Sequence, residues 1–304
     1  MDIWIAIGRS ILRAGTPLLI GTLGGIYVER SGVMNLGAEG IMIVGAVTGF
    51  AVARETGDPV LGVLAAVLAG MLLALSYGVL VITLRANQVV SGLALTMFGI
   101  GLSSLMGKSY IGVPAPHLPS IPIPGLSQIP AVGQLLFNHN PLVYVSILLT
   151  VVLWFVLYKT KAGIIVRSVG EAPAAADAMG INVYRVRYLC LMLGGALMGL
   201  SGAYLSLVYI PAWIEGMTAG RGWIVVALTV FSMWDPLRAM LGAYLYGGVE
   251  VLQYHLQPYG VPAAFLSMLP YLATIIVLCI TSREAVRKKL GAPAALGKPY
   301  TREV

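Results

Sequence analysis

The chain has 304 residues, of which 58% are hydrophobic and 10% charged, with a net charge of +7. Soluble domains carry roughly 25% charged residues, so this composition excludes an ordinary water-soluble enzyme and points to an all-α, polytopic membrane helical bundle. Uncharged runs at 60–84, 86–107, 188–214 and 262–282 reach the ~20 residues that cross a ~30 Å hydrocarbon core as helix, and the ~10-residue alternating segments of a membrane β-barrel are absent.

The first apolar segment, near 10–28, follows Arg9 and Arg13. No A-x-A cleavage site follows it and further spans do, so it reads as a membrane helix and not as a signal peptide. The second, near 33–53, is entered through Glu29-Arg-Ser-Gly-Val-Met-Asn35-Leu-Gly-Ala-Glu39-Gly40, which is too polar and glycine-rich for a lipid-facing helix. Broken backbone is tolerated at membrane depth only where protein or a water-filled cavity satisfies its polar groups, so a broken or re-entrant segment is expected here. Segments near 60–84 and 88–107 follow, then a proline-rich stretch at 108–140 that is nearly free of cations and suits an external cap.

Beyond a segment near 141–158 comes a polar island, 159–187, and then segments near 188–210, 222–234, 239–256 and 262–282. That makes eight to nine membrane segments in one domain, 1–284, with a basic tail at 285–304. Eleven of the nineteen Lys and Arg lie in the island and in the stretch from Arg283 to the end of the tail. Short basic loops stay on the cytoplasmic side, so the island and the C-terminus are expected in the cytoplasm. The charge reports topology, with contact to anionic lipid as a by-product and no role for nucleic acid. Four crossings before residue 108 would put the N-terminus outside, whereas Arg9 and Arg13 favour the inside, and a broken early segment would ease this conflict. The segment at 222–234 amounts to about 20 Å of helix and stops at Asp235-Pro236; short or interrupted helices mark translocation pathways. The pairs Gly21/Gly25, Gly45/Gly49 and Gly195/Gly199 imply close helix packing.

Few residues suggest covalent chemistry. Gly101-Leu-Ser-Ser-Leu-Met-Gly107-Lys108-Ser109 imitates a phosphate loop, but the spacing is one residue too long and no strand precedes it. His117, His139 and His255 are scattered, no paired-ligand metal motif exists, and no nucleophile elbow is present. Cys190 and Cys279 both sit in apolar spans and imply no disulfide framework. Ionisable residues near membrane depth are costly and become candidate functional groups: Glu39, Arg221 and Glu250 qualify. Structural alternatives stand beside each. Glu39 could pair with Arg30 or bond broken backbone, and Arg221 could snorkel to the outer surface.

Within the island, Pro173 suits a first helical turn, Ala174–Met179 are mostly strong helix formers, Gly180 suits the C′ position with Ile181 after it, and Asn182 can cap the next helix. About two turns of helix are marginal in water and need packing to persist. A docking helix for a partner in water is the favoured reading over a solvated connection.

Three blocks carry a family resemblance: Arg167-Ser-Val-Gly-Glu171-Ala-Pro173-Ala-Ala175-Ala-Asp177-Ala-Met179-Gly180-Ile181, Gly220-Arg-Gly-Trp223 through Trp234-Asp-Pro to Leu241-Gly-Ala, and the 29–40 segment. Together they resemble the inner-membrane permease subunits of bacterial ABC importers that carry branched-chain amino acids, ribose-type sugars and nucleosides. Ala172 and Asp235 stand where that family commonly has asparagine. The resemblance implies a coupling set of Arg167, Glu171, Pro173, Ala175, Asp177, Met179, Gly180 and Ile181 that grips a cytosolic ATP-binding subunit. It implies a solute pathway drawn from Asn35, Glu39, Asn87, Gln88, Arg221, Trp223 and Glu250. It also implies an external solute-binding protein, a second and longer homologous permease, a bacterial inner-membrane location, no cofactor bound by this chain, and ATP held by the partner.

The Asn35-Leu-Gly-Ala-Glu-Gly40 string resembles the nucleoside and simple-sugar branch, which favours nucleoside import with a ribose-type sugar as the alternative. An ion-coupled secondary transporter would use mid-membrane carboxylates and inverted repeats; the sequence shows no convincing internal repeat.

Overall fold

The computed structural model describes residues 3–114, 116–122, 127, 129, 132–257, 262, 265–266, 268–269, 272, 275–276 and 291–302. The segment near 262–282 lies largely outside them, as do Cys279, Arg283, Arg287, Lys288 and Lys289.

Helices occupy the other eight apolar segments: α1 (Ile3–Arg30), α2 (Ala38–Thr56), α3 (Pro59–Gly78), α4 (Gln88–Gly107), α6 (Pro141–Lys159), α9 (Val183–Tyr204), α10 (Arg221–Phe231) and α11 (Pro236–Leu256). Between them lie α5 (Val132–Leu136), α7 (Lys161–Glu171), α8 (Pro173–Ala178) and one antiparallel pair, β1 (Ile121–Pro122) with β2 (Asn138–His139). Five helices are long and apolar enough to cross a membrane by length and composition: Trp4–Arg30, Pro59–Thr83, Gln88–Tyr110, Pro141–Lys159 and Val183–Tyr209. The chain is a multi-pass membrane protein.

Helix starts follow from local chemistry. Asp58, Asn87, Asn140, Asn182 and Asp235 each accept backbone N–H groups at the head of a helix, and Pro59, Pro141 and Pro236 occupy first-turn positions. The bundle is built around α1 and α9, whose apolar windows are 83% buried, against 33–39% for α3, α4 and α6. The outer helices turn Leu68, Leu72, Met97 and Leu148 outward, as lipid-facing surfaces do. At the centre α9 meets α2 and α3 backbone to backbone: a Cβ on Gly45 would lie 2.7 Å from the Gly199 Cα, and one on Gly70 would lie 2.2 Å from the Gly195 carbonyl oxygen. Small residues bring helices this close where no hydrophobic effect drives association.

Two ends are distinguishable. At one, Arg9 donates to the Asn138 carbonyl at 3.1 Å, Phe50 packs edge-on to Tyr110, and Leu118 N–H bonds the Leu207 carbonyl at 3.2 Å. The described residues of the 108–140 stretch therefore lie at this end. At the other, α7, α8, the 231–235 turn and residues 291–302 gather around Arg30 and Arg187. Arg9 and Arg13 thus sit at the end opposite the island, contrary to the side their charge favours. Both guanidinium groups are occupied by backbone carbonyls, of Asn138 and Val208.

Candidate functional site

Between α1 and α2 the chain is not helical. Gly32 turns it in the left-handed region, with φ +90, and residues 31–37 then climb alongside α4. The Met34 N–H donates to the Gln88 side-chain oxygen at 2.7 Å, Leu36 lies against Gly92, and Gly40 lies against Leu95, Thr96 and Gly99. Since α4 starts at Gln88 and has 20 residues, Gly40 sits about 14 Å along a helix of about 30 Å. α2 therefore starts at mid-height. Tyr77 holds the climbing strand by donating to the Met34 and Gln88 carbonyls at 2.6 and 3.0 Å.

A second interruption meets the first. α10 is only 11 residues long and starts beside Glu39. One Glu39 oxygen accepts from the Thr218 hydroxyl at 2.5 Å and the Gly220 N–H at 3.0 Å, and the other from the Gly222 N–H at 2.6 Å. The carboxylate thus caps the positive end of a half-helix, where its charge is stabilised. Gly222 is required because a Cβ there would lie 2.3 Å from the Glu39 Cα. α10 ends where Trp234 donates to Glu29 at 2.6 Å and Arg30 donates to the Met233 and Trp234 carbonyls. Glu39 therefore bonds the broken backbone; its alternative partner, Arg30, is engaged elsewhere.

The remaining pathway candidates fall into separate places. Arg221 forms an ion pair with Glu250 and lies over the Tyr209 ring, whose hydroxyl donates to the same carboxylate at 3.2 Å. Tyr209 also lines a cavity of about 230 Å³ with Ser10, Arg13, Val251, Tyr254 and His255, at the end where the described residues of the 108–140 stretch lie. Asn35 is buried, taking the Gly37 N–H at 3.0 Å and donating to the Met198 sulfur at 3.4 Å. Gln88 is buried with its amide nitrogen unpartnered. Asn87 caps α4, and Trp223 is 40% exposed. Sequence reading missed Tyr209, Tyr77, Thr218 and the Glu29–Trp234 pair. Only the apolar setting of Glu29 hints at the last.

The island folds as two helices. α7 was not anticipated as a separate helix; Thr160 caps it, and Arg167 lies over the Tyr158 ring. α8 has Pro173 in its first turn, and Gly180 follows it with φ +81. Of α8, Ala176 alone is buried. Ala174, Ala175, Ala178 and the following Met179, 83% exposed, form an apolar knob, with Glu171 exposed beside it. Asp177 pairs with Arg302 at 3.0 Å, and the Ile181 N–H bonds the Ala176 carbonyl at 3.1 Å. Among the described residues no group of His, Cys, Asp and Glu could hold a metal ion.

Residues 9–278 match the family model described as branched-chain amino acid transport system / permease component. The chain is 39% identical to the candidate glucose ABC transporter permease TsgC13 of Haloferax volcanii, over 97% of each protein. It is 37% identical to the guanosine ABC transporter permease NupQ of Bacillus subtilis, over 93% of the chain and 92% of NupQ. It is 33% identical to the nucleoside ABC transporter permease NupC of Lactococcus lactis, over 96% of the chain and 95% of NupC. No solved structure matches the chain.

Proposed function

The chain belongs to the family of branched-chain amino acid transport system permease components, and from that premise we propose that it forms a translocation pathway for nucleosides in an ATP-driven importer. It is an ABC permease of the sugar or nucleoside type, a transport component and not an enzyme. Membership implies a cytosolic ATPase and an external binding protein as partners. A second homologous permease, longer than this one, completes the pathway on the face where Trp223 is exposed. The chain sits in the plasma membrane with α7, α8 and the C-terminal residues in the cytoplasm.

The observation that carries this reading is the meeting of two interrupted elements at mid-height, joined through Glu39. Interrupted helices mark translocation pathways, and rigid bodies that meet at such a break can rock to open alternate ends. The apolar knob at Met179 gives an ATPase a handle at one end, and the Tyr209–Tyr254–His255 cavity offers aromatic faces to a base at the other. ATP is held by the partner, since the one sequence resembling a phosphate loop runs through the end of α4 with no preceding strand.

Relatives named for guanosine and nucleoside transport favour a nucleoside. The similarity to TsgC13 favours a second reading, a sugar. The deciding measurement is uptake by the complete complex in proteoliposomes. ATP-dependent accumulation of guanosine is expected. Glucose uptake without guanosine uptake would move the assignment to sugars, and gradient-driven uptake by the lone chain would overturn it.

A further inference from the structure

The C-terminal stretch reads in sequence as a basic cytoplasmic tail separate from the membrane domain, yet residues 291–302 lie folded against the bundle. The Ala295 N–H bonds the Gly170 carbonyl of α7 at 3.0 Å. Tyr300 is 8% exposed; its ring packs at a tilt against Tyr184, with 5.6 Å between ring centroids, and joins a small apolar core of Val169, Ala176 and Val183. That core holds the only buried residue of α8. The stretch also reaches the other way: Arg30 donates to the Gly291 carbonyl at 3.2 Å, and Gly297 lies near Met34.

Arg187 joins the two contacts. It is 2% exposed and forms no ion pair among the described residues. Its guanidinium donates to the Ser31 carbonyl, in the break after α1, at 3.2 Å, and to the Lys298 carbonyl at 3.4 Å. A buried cation held only by carbonyls is costly to leave short of acceptors. Any shift of residues 291–302 with α8 is therefore felt at Ser31, where the mid-height break begins.

We propose that residues 291–302 are a strap that ties the coupling helix α8 to the break between α1 and α2, with Tyr300 and Arg187 as positioning residues for coupling. The proposal rests on the importer reading above and adds to it a route from the ATPase contact to the pathway. The Arg302–Asp177 pair contributes little, because the Arg302 side chain is 69% exposed; Tyr300 supplies the grip.

Two measurements on the complete complex separate the strap from the importer reading. In the first, deletion of 291–304 or Tyr300→Ala is expected to raise hydrogen exchange of the amides at 174–181 at least ten-fold. Unchanged exchange overturns the strap, whatever the protein transports. In the second, transport per ATP hydrolysed is measured with binding protein loaded with guanosine or with glucose. Tyr300→Ala is expected to lower it at least ten-fold at unchanged assembly and basal hydrolysis, and Tyr300→Phe, which keeps the ring, to restore it. Equal transport per ATP in Tyr300→Ala and wild type overturns the coupling role. If the deletion fails to assemble, Tyr300→Ala decides. No stimulation of the wild type by either solute overturns the importer reading, and the coupling role with it, while the exchange result stands alone.

Discussion

At Glu39 three donors converge on one carboxylate that is 6% exposed, so both oxygens are spent within the chain. At α8 the chain turns three alanines and Met179 to solvent and buries one alanine. Both features came from the same reading of the sequence as functional residues, but they can act only in different ways. A group whose hydrogen bonds are all internal acts through the shape it holds. A group with open apolar surface acts through what lands on it. Damage to the first should appear in folding, and damage to the second only in the assembled complex.

The sharpest test of this contrast is Glu39→Ala. It leaves two backbone N–H groups and the Thr218 hydroxyl unpaired in a buried site, at ~1–3 kcal/mol each, so a loss of about 5 kcal/mol and little folded protein are expected. Glu39→Gln keeps acceptor capacity on one oxygen and should recover part of the yield. A wild-type melting temperature for Glu39→Ala would break the contrast.

Met179→Asp should leave the melting temperature unchanged and still abolish solute-stimulated ATP hydrolysis, because an unpaired charge buried at a docked interface costs about 3–5 kcal/mol. Normal stimulation in the assembled mutant would remove α8 from the coupling contact. Glu250→Gln sits between the two regions in kind. Arg221 loses its counter-ion but keeps the Met217 and Thr218 carbonyls and the Tyr209 ring, so about 2 kcal/mol of stability should go. Asn87→Ala removes only the cap of α4, costing about 1 kcal/mol, with transport per folded molecule retained; a specific loss of transport would restore Asn87 to the pathway.

What the sequence made legible divides along the same line. The boundaries of α8 could be read from Pro173, Gly180 and Asn182 because caps act over a few residues of chain. The break at 29–40 could be read because its composition conflicts with lipid. The partners of Glu39 lie some 180 residues away, and no local pattern announces that Gly220 and Gly222 make room for a carboxylate. Tyr300, between Lys298 and Arg302 in the basic tail, carries no local sign of burial, and its place over Val169 and Ala176 is visible only in the fold. α7 went unseen because Lys161 and Arg167 on an alanine- and glycine-containing stretch read as a charged connection.

The contacts at Gly45, Gly70, Gly195 and Gly199 have a consequence for how this gene can vary. Glycine codons reach alanine, serine, valine, cysteine, aspartate, glutamate, arginine or tryptophan by one nucleotide change, and every one of these adds a Cβ. At the four positions that atom would meet the neighbouring helix at 2.2–2.7 Å, mostly against backbone that cannot rotate away. No gentle first step leads out of these sites, whereas exposed Leu68 or Leu148 can drift through other apolar residues freely. A saturation-mutagenesis library selected for uptake should therefore show no tolerated substitution at these four positions, as at Gly222 and at Gly202, where a Cβ would lie 2.0 Å from the Met42 carbonyl oxygen, so that the intolerant columns trace the α2–α3–α9 junction and the Glu39 contact.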